Sequence, residues 1–469
     1  MTEIPLTIND AAQQLRSGAL SSVELTKACF AVADALDPTL GAYIARYDDS
    51  ALAAAGLADA ELAAGTDRGP LHGIPIGIKD IIACKEGQTT GNSLVYDTDW
   101  YAGQDAPVVA RLREAGAVIT GKLTTMEYAC GLPDETKPYP IPRNPWDATT
   151  WPGGSSSGSG AAVASGMVLG ALGTDTGGSV RLPAAFCGIT GMKQTYGLVP
   201  KAGCLPLGVT LDHIGPMTRS AADAATMLAV MAGFDASDPS MNPSAVSTDY
   251  AAMLSGDLTG VTIGVERAHH LNRPGSDPQL ERVFNDAVAV LSEAGAKVVE
   301  VTIPLYDEVA SATMLCWPVE AFAYHRPWLQ TRWMEYGRWT RSVISAGALL
   351  TAADYAQVLK VRRLGKEALD ALYEEVDLIV TPTVATGALS YKSLSWDSLM
   401  HTLFTPYWNA VGNPTLSVPM GLSGDGLPLS LQIAGRDFED GLVLRAGDGF
   451  QRHTNHHLRL PPLAVGANN

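Results

Sequence analysis

Within residues 71–80 (LHGIPIGIKD) isoleucine alternates strictly with other residues from 74 to 79. In an extended chain Ile74, Ile76 and Ile78 share one face, and Pro75, Gly77 and Lys79 share the other. The pattern predicts a short strand with its isoleucines buried and Lys79 presented beside a glycine, where backbone packs close. Other segments follow the helical period. Thr7 with Asp10, and Ser21 with Glu24, are capping-type starts for two amphipathic helices that end near Gly18 and Asp37. Residues 51–64 are alanine-rich and read as a helix. Residues 107–115 read as a helix and 117–122 as a strand, the alternation of a layered α/β sheet. The polar, turn-rich stretch 233–259 predicts a surface excursion. A strand at 261–265, a helix at 277–294 and a strand at 296–301 follow it. No internal repeat or low-complexity tract interrupts the pattern.

Between these elements lie two turns dense in glycine and serine, 153–160 (GGSSSGSG) and 173–179 (GTDTGGS). They flank a small, apolar stretch, 161–172, suited to a helix or a buried strand. Glycines let several backbone N–H groups converge on one point, because no Cβ blocks the approach. Such a nest of donors suits a developing oxyanion, and a serine there suits the nucleophile that creates it. Gly/Ser-rich sequence is ordinarily a flexible linker, but linkers do not lead into core material and then repeat the turn. A nucleotide loop lacks its marks here: there is no G-x-x-x-x-G-K-[ST], and no strand–GxGxxG–helix with an acidic residue beyond it. Residues 154–158 also satisfy G-x-S-x-G, which would make Ser156 the nucleophile of an α/β-hydrolase-type esterase. That elbow needs an apolar strand before it, whereas 144–152 carries Asn144, Pro145 and Pro152 and reads as a loop. It also needs a histidine, and none of His213, His325 and His401 sits in a setting that marks a base. Lys79 is the other candidate base. Its amine has a pKa of about 10.4 in water and becomes a base only if burial penalises its charge. A surface lysine closing a strand is the plain alternative.

In chain order, 73–80 (GIPIGIKD), 153–159 (GGSSSGS) and 173–181 (GTDTGGSVR) resemble three marks of the amidase signature family. So do 186–193 (FCGITGMK), 211–219 (LDHIGPMTR) and a tail pattern through Gly412-Asn413-Pro414, Ser417-Val418-Pro419, Gly426-Leu427-Pro428 and Gln432-Ile433. The likeness spans nearly the whole chain. It implies one α/β domain over 1–469, with a mixed central β-sheet covered by helices on both faces. The signature core would span roughly 65–220 and a variable substrate-pocket region roughly 305–410. It implies a Ser–Ser–Lys triad: Ser179 as nucleophile, Ser155 as the bridging serine on a cis peptide bond, and Lys79 as base. It implies an oxyanion hole of the N–H groups of Thr176, Gly177, Gly178 and Ser179. Thr174, Asp175 and Arg181 would support that loop, an ordinary surface ion pair being the alternative for the last two. No cofactor and no metal are implied. One departure stands out: Ser157 occupies a place where the family commonly has glycine.

Composition bounds the partners. The chain has 469 residues, 46% of them hydrophobic, enough for a large core. A net charge of −17 argues against nucleic acid or an anionic membrane as a main partner. No basic segment followed by an apolar run opens the sequence, and no apolar run reaches the about 18 residues of a spanning helix. The expectation is a soluble, cytoplasmic chain, with a homodimer left open. Six scattered cysteines without CxxC spacing read as reduced, buried thiols. His453, His456 and His457 have no carboxylate or cysteine beside them and read as a solvated tail rather than a metal site.

Residues 311–345 bear on specificity. Trp317, Phe322, Tyr324, Trp328, Trp333, Tyr336 and Trp339 crowd this stretch of a chain that is 7% aromatic. They read either as the core packing of long helices or as the wall of a pocket for an apolar or aromatic group. Met126, Cys316, Trp317 and Trp408 are the candidate substrate contacts. The expected substrate is a small apolar or aryl amide, or a carbamate or ester cleaved by the same acyl transfer. Two other classes stay open. The family resemblance includes glutaminase subunits of tRNA-dependent amidotransferases, which carry an Asp for the glutamine amine before the Gly-x-Pro motif. Here 402–409 reads TLFTPYWN, with Thr402 at that place, and 196–200 (YGLVP) resembles stand-alone hydrolases. The second class is a non-catalytic binding protein on the same fold, against which stands the presence of all three triad residue types.

Overall fold

The computed structural model describes residues 4–271 and 273–467. Among them, eleven strands join in one sheet: β1 (Tyr43–Arg46), β2 (Pro75–Lys79), β3 (Val118–Leu123), β4 (Gly170–Asp175), β5 (Thr190–Lys193), β6 (His213–Thr218), β7 (Thr262–Glu266), β8 (Lys297–Val301), β9 (Leu378–Pro382), β10 (Thr415–Leu422) and β11 (Pro428–Gly435). Their spatial order is β1-β3-β2-β4-β6-β5-β10-β11-β9-β7-β8. β2 runs parallel to β3 and β4, the middle of the sheet from β4 to β9 is antiparallel, and β9, β7 and β8 are parallel again. The expected mixed α/β sheet is therefore present. Every residue of β2 is buried, on both faces of the pleat, as in a strand covered by layers on each side. Gly77 suits this close packing: a Cβ would lie 2.4 Å from Leu123 Cδ1 on β3, so the leucine side chain would have to shift.

The helices start where the capping signals lie. Thr7 accepts the Asp10 N–H at the start of Ile8–Ser17, and Ser21 with Glu24 closes a capping box on Ser22–Leu40. The second helix runs three residues past Asp37, because the left-handed stop is supplied by Gly41, whose N–H bonds to the Asp37 carbonyl. The stretch 161–172 resolves into both of its readings: helix Ser157–Ser165, then β4. Helix Pro107–Glu114, helix Leu280–Glu293 and strands β3, β7 and β8 fall within a few residues of expectation. Residues 233–259 carry no regular element except the short turn Ala251–Met253.

The histidine-rich segment is corrected. It is a solvated tail only in part: His453 is exposed, but His457 is buried with its carbonyl accepting Arg219 Nη1, and His456 stacks on Phe450. All six cysteines are free and five are buried. No single helix among the described residues is long and apolar enough to cross a membrane.

Parallel pairing of β2 with β4 sets their carboxyl ends side by side, with Ile78 opposite Leu172. Lys79 closes β2, and Thr174 and Asp175 close β4. Helix Ser157–Ser165 starts at the same edge. Its Gly158 fits because a Cβ would lie 2.3 Å from the Ala42 carbonyl oxygen and 2.5 Å from the Thr124 nitrogen. The edge where these ends meet is the kind of crevice where open α/β sheets bind ligands.

Candidate active site

Lys79 is wholly buried, and three hydroxyls surround its amine. Nζ lies 2.7 Å from Ser155 Oγ, 2.9 Å from Ser156 Oγ and 2.7 Å from Thr174 Oγ1. No carboxylate pairs with it among the described residues. Burial therefore dominates and draws the amine from 10.5 down to about 7, against weaker opposing influence from Cys204, Asp175 and Asp212. The surface-lysine alternative falls away on this geometry.

Ser155 follows a cis peptide bond from Gly154, and its carbonyl accepts the Met126 N–H at 3.0 Å. The Ser156 hydroxyl is held by the backbone of Thr174: it accepts that N–H at 3.1 Å and donates to the carbonyl at 3.2 Å. No strand enters the turn before it, so the elbow that would make Ser156 a nucleophile is missing. Ser157, the departure from glycine, bonds back to the Gly153 carbonyl at 2.5 Å and closes the turn.

The second turn is pinned by Asp175 and Arg181, both fully buried and 2.9 Å apart. Asp175 accepts the N–H groups of Gly178 at 2.9 Å and Val180 at 3.1 Å. Arg181 also reaches the Thr405 carbonyl, Gln432 Oε1 and Asn409 Oδ1, and Asn409 returns a bond to Asp175. Burial alone would push the Asp175 carboxyl up. The charge and hydrogen bonds of Arg181, with Asn409 behind them, outweigh burial and hold it far below the usual carboxylate range. One expectation changes here. The Gly178 N–H already belongs to Asp175, so this glycine anchors the loop, and the free donors narrow to Thr176, Gly177 and Ser179. Its φ of 130° and the Thr405 side chain, 2.0 Å from where a Cβ would lie, admit only glycine. His213, beside Asp175 on β6, is held neutral by burial and by the charge of Lys193.

A cavity opens over this floor. Ser155, Thr176, Gly177, Gly178 and Ser179 line its base. Its walls are Ala129, Cys130 and Gly131 from one turn, Trp151, Leu182 and Leu207, then Met314 and Trp317 from helix Tyr306–Thr331. Trp396, Leu399, Met400 and Leu403 complete it, from helix Trp396–Thr402 and the residue after it. None of these side chains is charged.

Of the expected substrate contacts, Trp317 lines the cavity. Met126 sits one layer behind, close against Gly154. Cys316 and Trp408 do not line it. Cys316 turns toward Glu320, Thr210 and Arg362 because its helix presents successive residues about 100° apart. Trp408 is fully buried against Tyr407, in a cluster with Tyr373 and Ile379. The other six aromatics of 311–345 lie elsewhere. Tyr324, Trp328 and Tyr336 gather around His325, for example, and Trp333 is exposed. Sequence reasoning missed helix Trp396–Thr402 as a wall, Asn409 and Gln432 as partners of Arg181, and Thr174 as a partner of Lys79.

A family model described as Amidase matches residues 24–444. The chain is 40% identical, over 99% of its length and 100% of the relative's, to a glutamyl-tRNA(Gln) amidotransferase subunit of Chloroflexus aggregans. It superimposes on the peptide amidase of Stenotrophomonas maltophilia with a TM-score of 0.85 at 31% identity, covering 97% of this chain and 99% of the other. It also matches a chain from a vestigial protein complex that bears on the origins of an s-triazine catabolic enzyme. That TM-score is 0.89 at 28% identity, with 95% and 98% of the two chains covered. The chain belongs to the amidase signature family, hydrolases acting on carbon–nitrogen bonds.

Proposed function

We propose that this protein hydrolyses small apolar or aryl amides through an acyl-enzyme on Ser179. The observation that carries the reading is a buried amine, Lys79, 2.7 Å from Ser155 Oγ, beneath a cavity onto which both Ser155 and Ser179 open. Neutral Lys79 takes the Ser155 proton while Ser155 takes that of Ser179. The Ser179 oxygen then attacks the amide carbon. The carbonyl electron pair moves onto oxygen, where the N–H groups of Thr176, Gly177 and Ser179 stabilise it. Collapse breaks the C–N bond, and the proton returns from Lys79 through Ser155 to the leaving amine. Water, deprotonated by the same relay, attacks the acyl ester, releases the acid and restores Ser179. Carbamates and esters fit the same steps.

Apolar walls set the substrate class. Burying one phenyl ring contributes about 2 kcal/mol, roughly thirtyfold in kcat/KM. A benzyl amide is expected to exceed the methyl amide of the same acid by about that ratio. Equal rates would overturn the apolar-pocket reading.

A second reading is a glutaminase subunit, favoured by the 40% identity over full length. Against it, the cavity offers no carboxylate for an α-ammonium, and Thr402 is buried with its hydroxyl on the Ser398 carbonyl. Hydrolysis of glutamine by the purified chain, followed as ammonia release and faster than release of benzylamine from the benzyl amide, would favour this second reading.

A further inference from the structure

Thr176 lies at the base of the cavity and Leu207 on its wall, and one carboxylate outside the relay joins them. Asp212, half-buried just before β6, accepts the Thr176 hydroxyl at 2.5 Å and the Gly208 N–H at 3.0 Å on Oδ1. Its Oδ2 accepts the Leu207 N–H at 3.0 Å, and its own N–H bonds to the Gly208 carbonyl at 2.8 Å. The loop between is wedged. A Cβ on Gly208 would lie 3.0 Å from both Thr176 Cγ2 and Trp317 Cβ. Thr210, two residues on, is clamped by Glu320 and Arg362. Burial raises the Asp212 carboxyl above its usual value, and Lys201 and the bonded donors oppose that rise. All three groups bonded to the carboxyl are donors, which is the pattern of an ionised carboxylate. No ion pair takes up its charge among the described residues.

We propose that Asp212 is a positioning residue of the acyl-transfer site: its carboxylate locks Thr176 of the donor loop to the cavity wall, and it keeps a negative charge near the relay. The proposal rests on the assignment of Lys79 as base and Ser179 as nucleophile. Two effects follow, and they separate. The hydrogen bond holds the Thr176 N–H in line with the forming oxyanion. The charge favours protonated Lys79, alongside Asp175 and Cys204, while Lys201 faces Asp212 from the opposite side of the balance. Loss of the charge therefore makes Lys79 easier to deprotonate.

The rate of fluorophosphonate labelling at Ser179, followed against pH, tests both without depending on which amide is the substrate. In D212N the rate at high pH is expected to fall about tenfold or more, and the rising limb to move about half a unit or more to lower pH. T176V keeps the carboxylate, so it should lose a similar factor with the limb unmoved, and T176S should recover to within about threefold. A structural role alone would reduce the labelled fraction and leave the limb in place. A D212N limb superimposed on wild type, or T176V at the wild-type rate, overturns the proposal. If D212N fails to fold, the T176V and T176S pair decides. Wild-type label on a residue other than Ser179 marks failure of the underlying triad assignment, whereas wild-type label on Ser179 with inert variants marks failure of this inference alone.

Discussion

Replacing Lys79 by methionine converts the proton state of a buried amine into a stability measurement. The unfolded chain holds this proton up to about pH 10.5, and the folded chain releases it near pH 7. Between those values the unfolded state binds more protons, so unfolding free energy rises with pH, by about 1.4 kcal/mol per unit. Wild type should therefore gain about 2.5 kcal/mol over K79M between pH 7.5 and 9.5. It should gain nothing below about pH 6, where both states carry the proton. The variant also loses bonds to Ser155, Ser156 and Thr174, but that cost does not depend on pH and drops out of the slope. Lys193, likewise drawn down to about 7 by burial, is present in both proteins and cancels. Urea unfolding at pH 6, 7.5 and 9.5 supplies the numbers. Parallel stability curves for the two proteins would refute the reasoning, because the amine would then be charged in the fold and could not act as a base near neutrality.

Other substitutions test the remaining parts of the site. Ser179→Ala should abolish turnover, and a fluorophosphonate adduct mapped by peptide mass spectrometry should sit on Ser179. Ser156→Ala should stay within about tenfold of wild type in kcat, because Ser155 and Thr174 still hold the amine. Arg181→Met leaves Asp175 charged and unpaired in a fully buried position, so urea unfolding should report a loss of about 3–5 kcal/mol. Trp396→Ala should lower the benzyl-to-methyl amide ratio several-fold while leaving kcat on the methyl amide near wild type.

The grouping of the candidate site was legible because the proposed chemistry needs residue types that core packing does not. A lysine in an alternating strand, and serines behind glycines in two turns, are costly choices for a buried sheet edge unless they are used. The pairing of β2 with β4 then brings those marks together, although 76 residues separate Lys79 from Ser155. Helix boundaries were legible for a similar local reason: caps and left-handed glycines act within one turn of the backbone. The partners of Arg181 were not. Thr405, Asn409 and Gln432 lie more than 220 residues along the chain, and no local pattern encodes that contact. Gly178 misled for another reason, since an N–H in a glycine-rich turn looks free until the acceptor, Asp175, is placed in space.

The cavity wall was missed through an ambiguity rather than a lack of signal. Trp396, Leu399, Met400 and Leu403 fall at i, i+3, i+4 and i+7, the spacing of a buried helix face. That spacing states only that the face avoids water. It cannot state whether the opposite surface is protein or a substrate that arrives later, because both remove the same apolar area from solvent. Aromatic density misled in the same way: residues 311–345 are rich in rings, yet only Trp317 meets the cavity, while Tyr324, Trp328 and Tyr336 pack on His325 and one another. What separates wall from core is the floor beneath it. The apolar stripe of helix Trp396–Thr402 gains a functional reading only because Ser155 and Ser179 open onto the same space, and those two serines were the residues the sequence marked. Specificity in such a site is read outward from the chemistry, by asking which apolar faces its polar groups leave uncovered.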